Sequence, residues 1–162
     1  MIKIGKLKKH QEIFIFSIIS VAIIAVLDIL AMKSNLFGTV LEYTNGSFGC
    51  DWWYLFSKIG FILISIPAVI YFFFVKKDFS ESISFIISSV IIWFTGLADI
   101  MYFIFQGLAI PSTLSWLDKG VIIGFISTNI FKSPVTNVTL FFTAFVGLII
   151  AYFTTKILVE KL

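Results

Sequence analysis

Two acidic residues lie inside long apolar stretches of the sequence, and their type and position could support chemistry. Asp28 lies 15 positions after Ile13, and Asp99 lies 16 positions after Ile83. If both stretches are helices that cross a membrane in the same direction, a rise of about 1.5 Å per residue places both carboxyl groups at roughly 22–24 Å along them. A charge at such depth costs about 2.5–3.5 kcal/mol. We therefore expect both side chains to face the protein interior or water.

A close approach of the two carboxyl groups would give them a chemical use. Repulsion between the charges and loss of hydration would then leave one of them protonated. Such a pair suits proton-coupled transport. It also suits hydrolysis, in which one carboxylate activates water and the other carboxyl group donates a proton. Lys58, at the outer end of the second predicted helix, is the candidate counter-ion for either aspartate.

Polar residues accompany Asp99 along its predicted helix. Successive spacings of four, seven, four, three and four positions predict that they share one face: Ser84, Ser88, Thr95, Asp99, Tyr102 and Gln106. One interpretation is a dedicated binding site formed by Asp28, Asp99, Tyr102, Gln106 and Lys58. The other is that these side chains only form hydrogen bonds between packed membrane helices. The sequence leaves both interpretations open.

Residue usage argues against several other kinds of site. The single cysteine, Cys50, excludes an intrachain disulfide and a multi-cysteine metal centre, and the single histidine, His10, argues against a histidine metal centre. All twelve basic residues are Lys, and the lack of Arg argues against nucleic-acid recognition. The sequence has no Gly-rich phosphate loop, nucleophile elbow or zinc-protease motif. We therefore expect no metal, no cofactor and no nucleic-acid partner.

The composition indicates an integral membrane protein. Hydrophobic residues make up 59% of the chain and charged residues 13%, against about 45–50% and about 25% in soluble domains. The mean hydropathy is +1.06. A soluble domain of this size could not cover so much apolar surface, so lipid must cover part of it. The 162 residues leave room for one membrane domain.

Four apolar runs predict an all-α bundle of four transmembrane helices, at about 13–32, 59–75, 83–105 and 138–155. The first run follows a basic leader like that of a signal peptide, but it is too long for a cleavable signal, so we expect it to be retained. Eight of the twelve lysines would lie on one side of the membrane and four on the other. Because lysines concentrate on the cytoplasmic side, we expect both termini there and localisation in the cell membrane.

Two outer segments, 33–58 and 106–137, would then connect the helices. The second is long and partly apolar, and its stretch 121–131 is too short to cross, so an interfacial or re-entrant segment is expected. Asn45 and Asn137 each begin an Asn-x-Ser/Thr triplet on the predicted outer side, and such a triplet accepts a glycan only in a host that glycosylates.

Helix packing is predicted at two further positions. Small residues recur at steps of four along the fourth helix, which favours close approach to another helix of this chain or of a second chain: Thr139, Thr143, Gly147 and Ala151. Pro67 lies midway along the second predicted helix, where its missing N–H predicts a kink.

The layout resembles that of lipoprotein signal peptidase, which also has four spans, cytoplasmic termini and intramembrane aspartates. The fragments that carry the resemblance follow the same order along the chain: Leu27-Asp28 with Lys33, Asn45-Gly46 with Phe48, Gly96 with Asp99, and Pro134-Val135 with Asn137-Val138. The motifs differ, because Leu97 and Ile100 stand where that family has Asn and Arg, and no acid lies near Leu140, where its second aspartate would fall. The resemblance is therefore one of layout.

Three functions follow from these observations. The first is a small non-enzymatic subunit or oligomeric membrane component, packing through the fourth helix, with a polar intramembrane site at Asp28 and Asp99. The second is a proton- or ion-coupled transporter or channel built around the same pair. The third is an intramembrane hydrolase that acts on a lipid or lipid-linked substrate. The expected partners are the lipid bilayer and a membrane protein or a second copy of the chain.

Overall fold

The structure is a computed structural model that describes residues 8–33, 50–71, 74, 78–117 and 122–161. For four parts of these ranges it describes the backbone alone: 31–33, 50–58, 116 and 161. Six α-helices occur in these ranges: α1 (Lys9–Lys33), α2 (Cys50–Ile70), α3 (Phe79–Phe94), α4 (Leu97–Gln106), α5 (Ile122–Ile126) and α6 (Asn137–Lys161). A 3₁₀ turn spans Ser115–Leu117, and a π-helical turn, Ser127–Phe131, continues α5.

The described part of the chain is helical and contains no strand, with one isolated β-bridge between Thr113 and Thr136. Two helices are long and apolar enough to cross a membrane, α1 and α6, and α3 with α4 would make a third if the bent pair is one span. Shorter apolar helical segments occupy Ile59–Ile70 and Ile122–Phe131. The predicted all-helical class is confirmed for the described residues, with two or three helices that could cross a membrane. The membrane location and the number of crossings stay predictions.

The single helix predicted at 83–105 is wrong, because the structure divides it into α3 and α4, which meet at a bend of 66°. Gly96 causes the break: its φ of 96° lies in the left-handed region, which a helix cannot continue through and which glycine alone adopts without strain. The start of α3 also differs. The Asp78 carboxylate accepts hydrogen bonds from the backbone N–H groups of Ser80 and Glu81, so the helix begins at Phe79.

α3 is the central helix and lies against α1, α2 and α6. Its apolar contacts belong to a buried cluster that includes Ile24 of α1, Ile64 of α2, Ile92 of α3 and Ala151 of α6. A second buried cluster joins α4, α5 and the start of α6 with the loop residues Leu114 and Val135. The first cluster includes Ala151, in the C-terminal half of α6, and the second includes Leu140 and Ala144, in its N-terminal half.

The small-residue face of α6 packs against α3 of the same chain. Gly147 lies so close to Thr95 that a Cβ atom at position 147 would overlap the Thr95 side chain. Nearby, the hydroxyl groups of Ser88 and Thr155 form a hydrogen bond. The sequence left open whether this face packs against a helix of this chain or of a second chain, and in the structure it packs against α3 of this chain.

Large apolar side chains cover the outward sides of the two long helices. Phe16, Ile23 and Leu30 are exposed on α1, and Phe141, Phe145 and Phe153 are exposed on α6. Soluble proteins rarely expose apolar area on this scale. These sides are the surfaces that a surrounding lipid phase would cover.

Candidate functional site

The structure brings Asp28 and Asp99 together. Asp28 lies in the last third of α1 and Asp99 in the first turn of α4, and these two helices pack against each other. The two carboxyl groups are close enough for their charges to interact. Both side chains are half-buried. Their role as a site stays a prediction.

The break at Gly96 places Asp99 at the start of a helix. Because α4 starts anew at Leu97, Asp99 lies in the first turn of a helix instead of in the middle of one. The N–H groups of a first turn carry a partial positive charge, which stabilises a nearby carboxylate. The sequence does not predict this position for Asp99, because the apolar run 83–105 predicts one continuous helix through Gly96.

The predicted polar face does not run from Ser84 to Gln106, because the 66° bend separates α3 from α4. The Ser84 hydroxyl donates to the carbonyl oxygen of Ser80 (2.6 Å), and Thr95 donates to that of Ile91 (2.8 Å). These two hydroxyl groups bond within α3 itself, whereas Ser88 forms a hydrogen bond with Thr155 of α6 across the helix contact. The choice between a binding site and helix packing stays a prediction.

Tyr102 and Gln106 do follow Asp99 on α4, at steps of three and four. Both are half-buried. The Tyr102 ring meets Phe103 edge-on at 5.5 Å and packs against the second cluster. Lys58, the candidate counter-ion, has its side chain outside the described residues, and Asn45 lies outside them altogether.

Apolar side chains surround the helix break. The side-chain ends of Leu140 from α6 and Ile123 from α5 contact Gly96, where a Cβ atom would meet them. Leu140 is fully buried. The position at which lipoprotein signal peptidase would carry its second acid is thus a core position in this chain.

A second polar cluster, which sequence reasoning missed, lies at the other end of α1, about 28 Å from Asp28 along the helix. Glu81 is 1% exposed, and its Oε1 atom lies 2.8 Å from Lys9 Nζ. The Tyr71 hydroxyl donates to Glu81 Oε2 at 2.6 Å. Asp78 Oδ2 lies 3.9 Å from the same Lys9 ammonium. This cluster joins α1, the end of α2 and the start of α3.

His10 extends the polar end of the bundle to α6. Its ring is buried, with Nδ1 3.2 Å from Glu160 Oε1 and Nε2 3.4 Å from the Tyr152 hydroxyl. The Tyr152 ring also meets the His10 ring edge-on, with 5.7 Å between centroids. The sequence placed His10 in a basic leader, and the only signal for its burial was the apolar run that begins three residues later.

Among the described residues, no group of three or more His, Cys, Asp or Glu side chains is arranged to hold a metal ion. Comparison with protein-family models, with curated proteins and with solved structures found no match. The inference of function therefore depends on the geometry of this chain alone.

Proposed function

We propose that this chain is a non-enzymatic component of the cell membrane that crosses the bilayer four times, with both termini in the cytoplasm. α1, α2, the α3–α4 pair and α6 would be the four crossings. The contact of His10 with Glu160 supports this arrangement, because it joins the start of α1 to the end of α6. The contact of Lys9 with Asp78 adds the start of α3 to the same end. The basic segments of the chain then share one side, as the lysine distribution requires.

In this component, Asp28 and Asp99 form a polar site that binds a cationic group from a partner within the membrane. The observation that carries the proposal is the pairing of the two carboxyl groups at the packed contact of α1 and α4, both half-buried. None of the described basic side chains forms an ion pair with either aspartate. An acidic pair at membrane depth is stabilised by a cation. A lysine of a partner helix, or of a second copy, has that chemistry.

The test is extraction of the protein in native lipid discs, followed by identification of the proteins that remain bound. We expect a stoichiometric partner, whose retention falls more than about tenfold in Asp99→Asn, because breaking a buried charge pair costs about 2–5 kcal/mol. Glu12→Gln is the matched control, since it removes a carboxylate from the first turn of α1. A chain that retains only lipid, or a partner that Asp99→Asn does not release, would contradict the proposal.

Proton-coupled transport is the second candidate, and the break at Gly96 favours it. Membrane transporters commonly build their ion and substrate sites at interrupted helices, where free backbone groups and helix ends meet the ligand. Asp99 lies three residues beyond such a break. Reconstituted protein should then move protons down an imposed pH gradient, and Asp99→Asn should abolish this flux. A flux that persists in Asp99→Asn would eliminate this candidate, as would its absence from the unmodified protein.

A further inference from the structure

We infer that the segment 122–131, which comprises α5 and its π-helical turn, is embedded in one leaflet of the bilayer without crossing it. The leaflet is the one nearest Asp99, which is the outer leaflet under the proposed topology. The occupant of its exposed apolar face is lipid acyl chain. The location within the bilayer does not depend on the proposed partner of Asp28 and Asp99.

The two sides of the segment have different surroundings. Ile123, Gly124 and Ser127 are buried against the rest of the chain. The other side carries four large apolar side chains with exposed fractions of 48%, 66%, 65% and 50%: Ile122, Phe125, Ile130 and Phe131. At about 1.5 Å per residue, ten residues reach about 15 Å, half of a hydrocarbon core of about 30 Å. The segment can therefore enter the bilayer but cannot cross it.

The polar side chains of the segment form hydrogen bonds with backbone carbonyl groups of this chain. Thr128 donates to the carbonyl oxygen of Gly124 (2.7 Å), and the Asn129 amide donates to that of Phe125 (2.9 Å). The Ser127 hydroxyl lies 2.9 Å and 3.1 Å from the carbonyl oxygens of Ser133 and Pro134. Thr128 and Asn129 are exposed, so water could satisfy them if it were present. Internal hydrogen bonding is the arrangement that a lipid environment demands.

The exposed face continues the apolar side of α6. The ring of Phe131 meets that of Phe142 edge-on, with 6.4 Å between centroids. Phe142 belongs to the exposed aromatic row of α6, with Phe141 and Phe145, on a helix long and apolar enough to cross a membrane. The same solvent must cover both surfaces, which is why the occupant is lipid. Lys132 follows directly and is exposed, so its ammonium group can reach the headgroup layer.

Nitroxide labels at Phe125→Cys and Ile130→Cys, in a Cys50→Ser background, would test this inference in lipid nanodiscs. Phe145→Cys on α6 is the lipid-facing reference, and Lys8→Cys is the water-facing reference. We expect both test positions to collide more often with oxygen than with a water-soluble nickel chelate, as position 145 does. Preferential collision with the chelate would place the face in water and overturn the inference. Low collision rates with both reagents would mean that protein covers the face, and would overturn it equally.

These outcomes are separable from those of the proposed function. The labels report on lipid contact whether or not a partner binds Asp28 and Asp99. Two independent positions keep the test decisive if one substitution prevents folding. Because Ile123 packs against Gly96, the inner side of the segment also supports the break that sets the position of Asp99.

Discussion

At the scale of single residues, Glu81 illustrates how this chain tolerates a buried charge. Each of its carboxylate oxygens has a partner, the Lys9 ammonium at 2.8 Å and the Tyr71 hydroxyl at 2.6 Å. Removing a carboxylate from water is unfavourable unless such partners replace the lost hydration. Lys9 is 60% exposed, so its charge remains hydrated while it neutralises Glu81. The pair thus combines a buried anion with a cation at the surface.

Tyr71→Phe should destabilise the protein by about 1.5–3 kcal/mol, because it removes a hydrogen bond to a charged group that water does not replace. The measurement is the free energy of unfolding in detergent micelles as denaturant is added. Tyr152→Phe is the matched control, since its hydroxyl lies at a longer distance, 3.4 Å, from His10 Nε2. Equal decreases in the free energy of unfolding in the two variants would show that the hydrogen bond to Glu81 stabilises the protein no more than the contact with His10.

Asp78 should contribute a pH-dependent part of the stability. Hydrogen bonds from the Ser80 hydroxyl and from the backbone N–H groups of Ser80 and Glu81, together with the Lys9 charge, hold the pKa of Asp78 below its usual value of 3.8. A carboxyl group whose pKa is lower in the folded state stabilises fully above its unfolded value. This contribution is lost as the pH falls through the lowered pKa.

Asp78→Asn isolates this effect, because Asn caps helices about as well as Asp but does not titrate. Thermal unfolding is measured from pH 7 down to about pH 3, where carboxyl groups protonate. We expect the stability difference between the two proteins to shrink towards the acid end of this range, because the pH there approaches the lowered pKa of Asp78. A difference that stays constant over the whole range would refute the role of the Asp78 charge.

At the scale of helices, the packing of α6 against the end of α3 depends on Gly147. Gly147→Ala should destabilise the protein by about 1–3 kcal/mol, because the added Cβ atom overlaps Thr95 and forces the helices apart. Ile149→Ala on the exposed side of α6 is the control, and it should cost less because lipid or detergent fills the space. The unfolding free energy of both variants tests this. A tolerated Gly147→Ala would mean that α3 and α6 are not packed as described.

The same helices indicate what the sequence could predict. Hydropathy located α1 and α6, because a long apolar run has few alternatives to a helix. Three of their four ends were predicted to within four residues, and the end of α6 was placed six residues too early. It missed the break at Gly96, since one glycine inside an apolar run weakens a helix without identifying the residue at which it ends. It also missed the His10 contacts, because Tyr152 lies 142 positions away and only the folded topology brings them together.

At the scale of the whole molecule, the polar residues divide between two ends. Lys9, His10 and Glu81 lie at the end where α1 and α3 begin and α6 finishes. Asp28 and Asp99 lie towards the other end, where Ile123 of α5 contacts Gly96 just before α4. The first group is satisfied by contacts within the chain. The second group is an acidic pair without a described cation, which is why the proposed partner belongs there.

The proposed topology predicts which positions can be reached from outside the cell. In a Cys50→Ser background, Lys132→Cys should react with a membrane-impermeant maleimide on intact cells, whereas Glu160→Cys should react only after the membrane is permeabilised. The physical reason is that α6 crosses the bilayer between these two positions, while the segment 122–131 does not cross. Labelling of permeabilised cells checks that each cysteine is reactive. If position 160 reacts on intact cells and position 132 does not, the cytoplasmic C-terminus is wrong, and so is the assignment of the segment 122–131 to the outer leaflet.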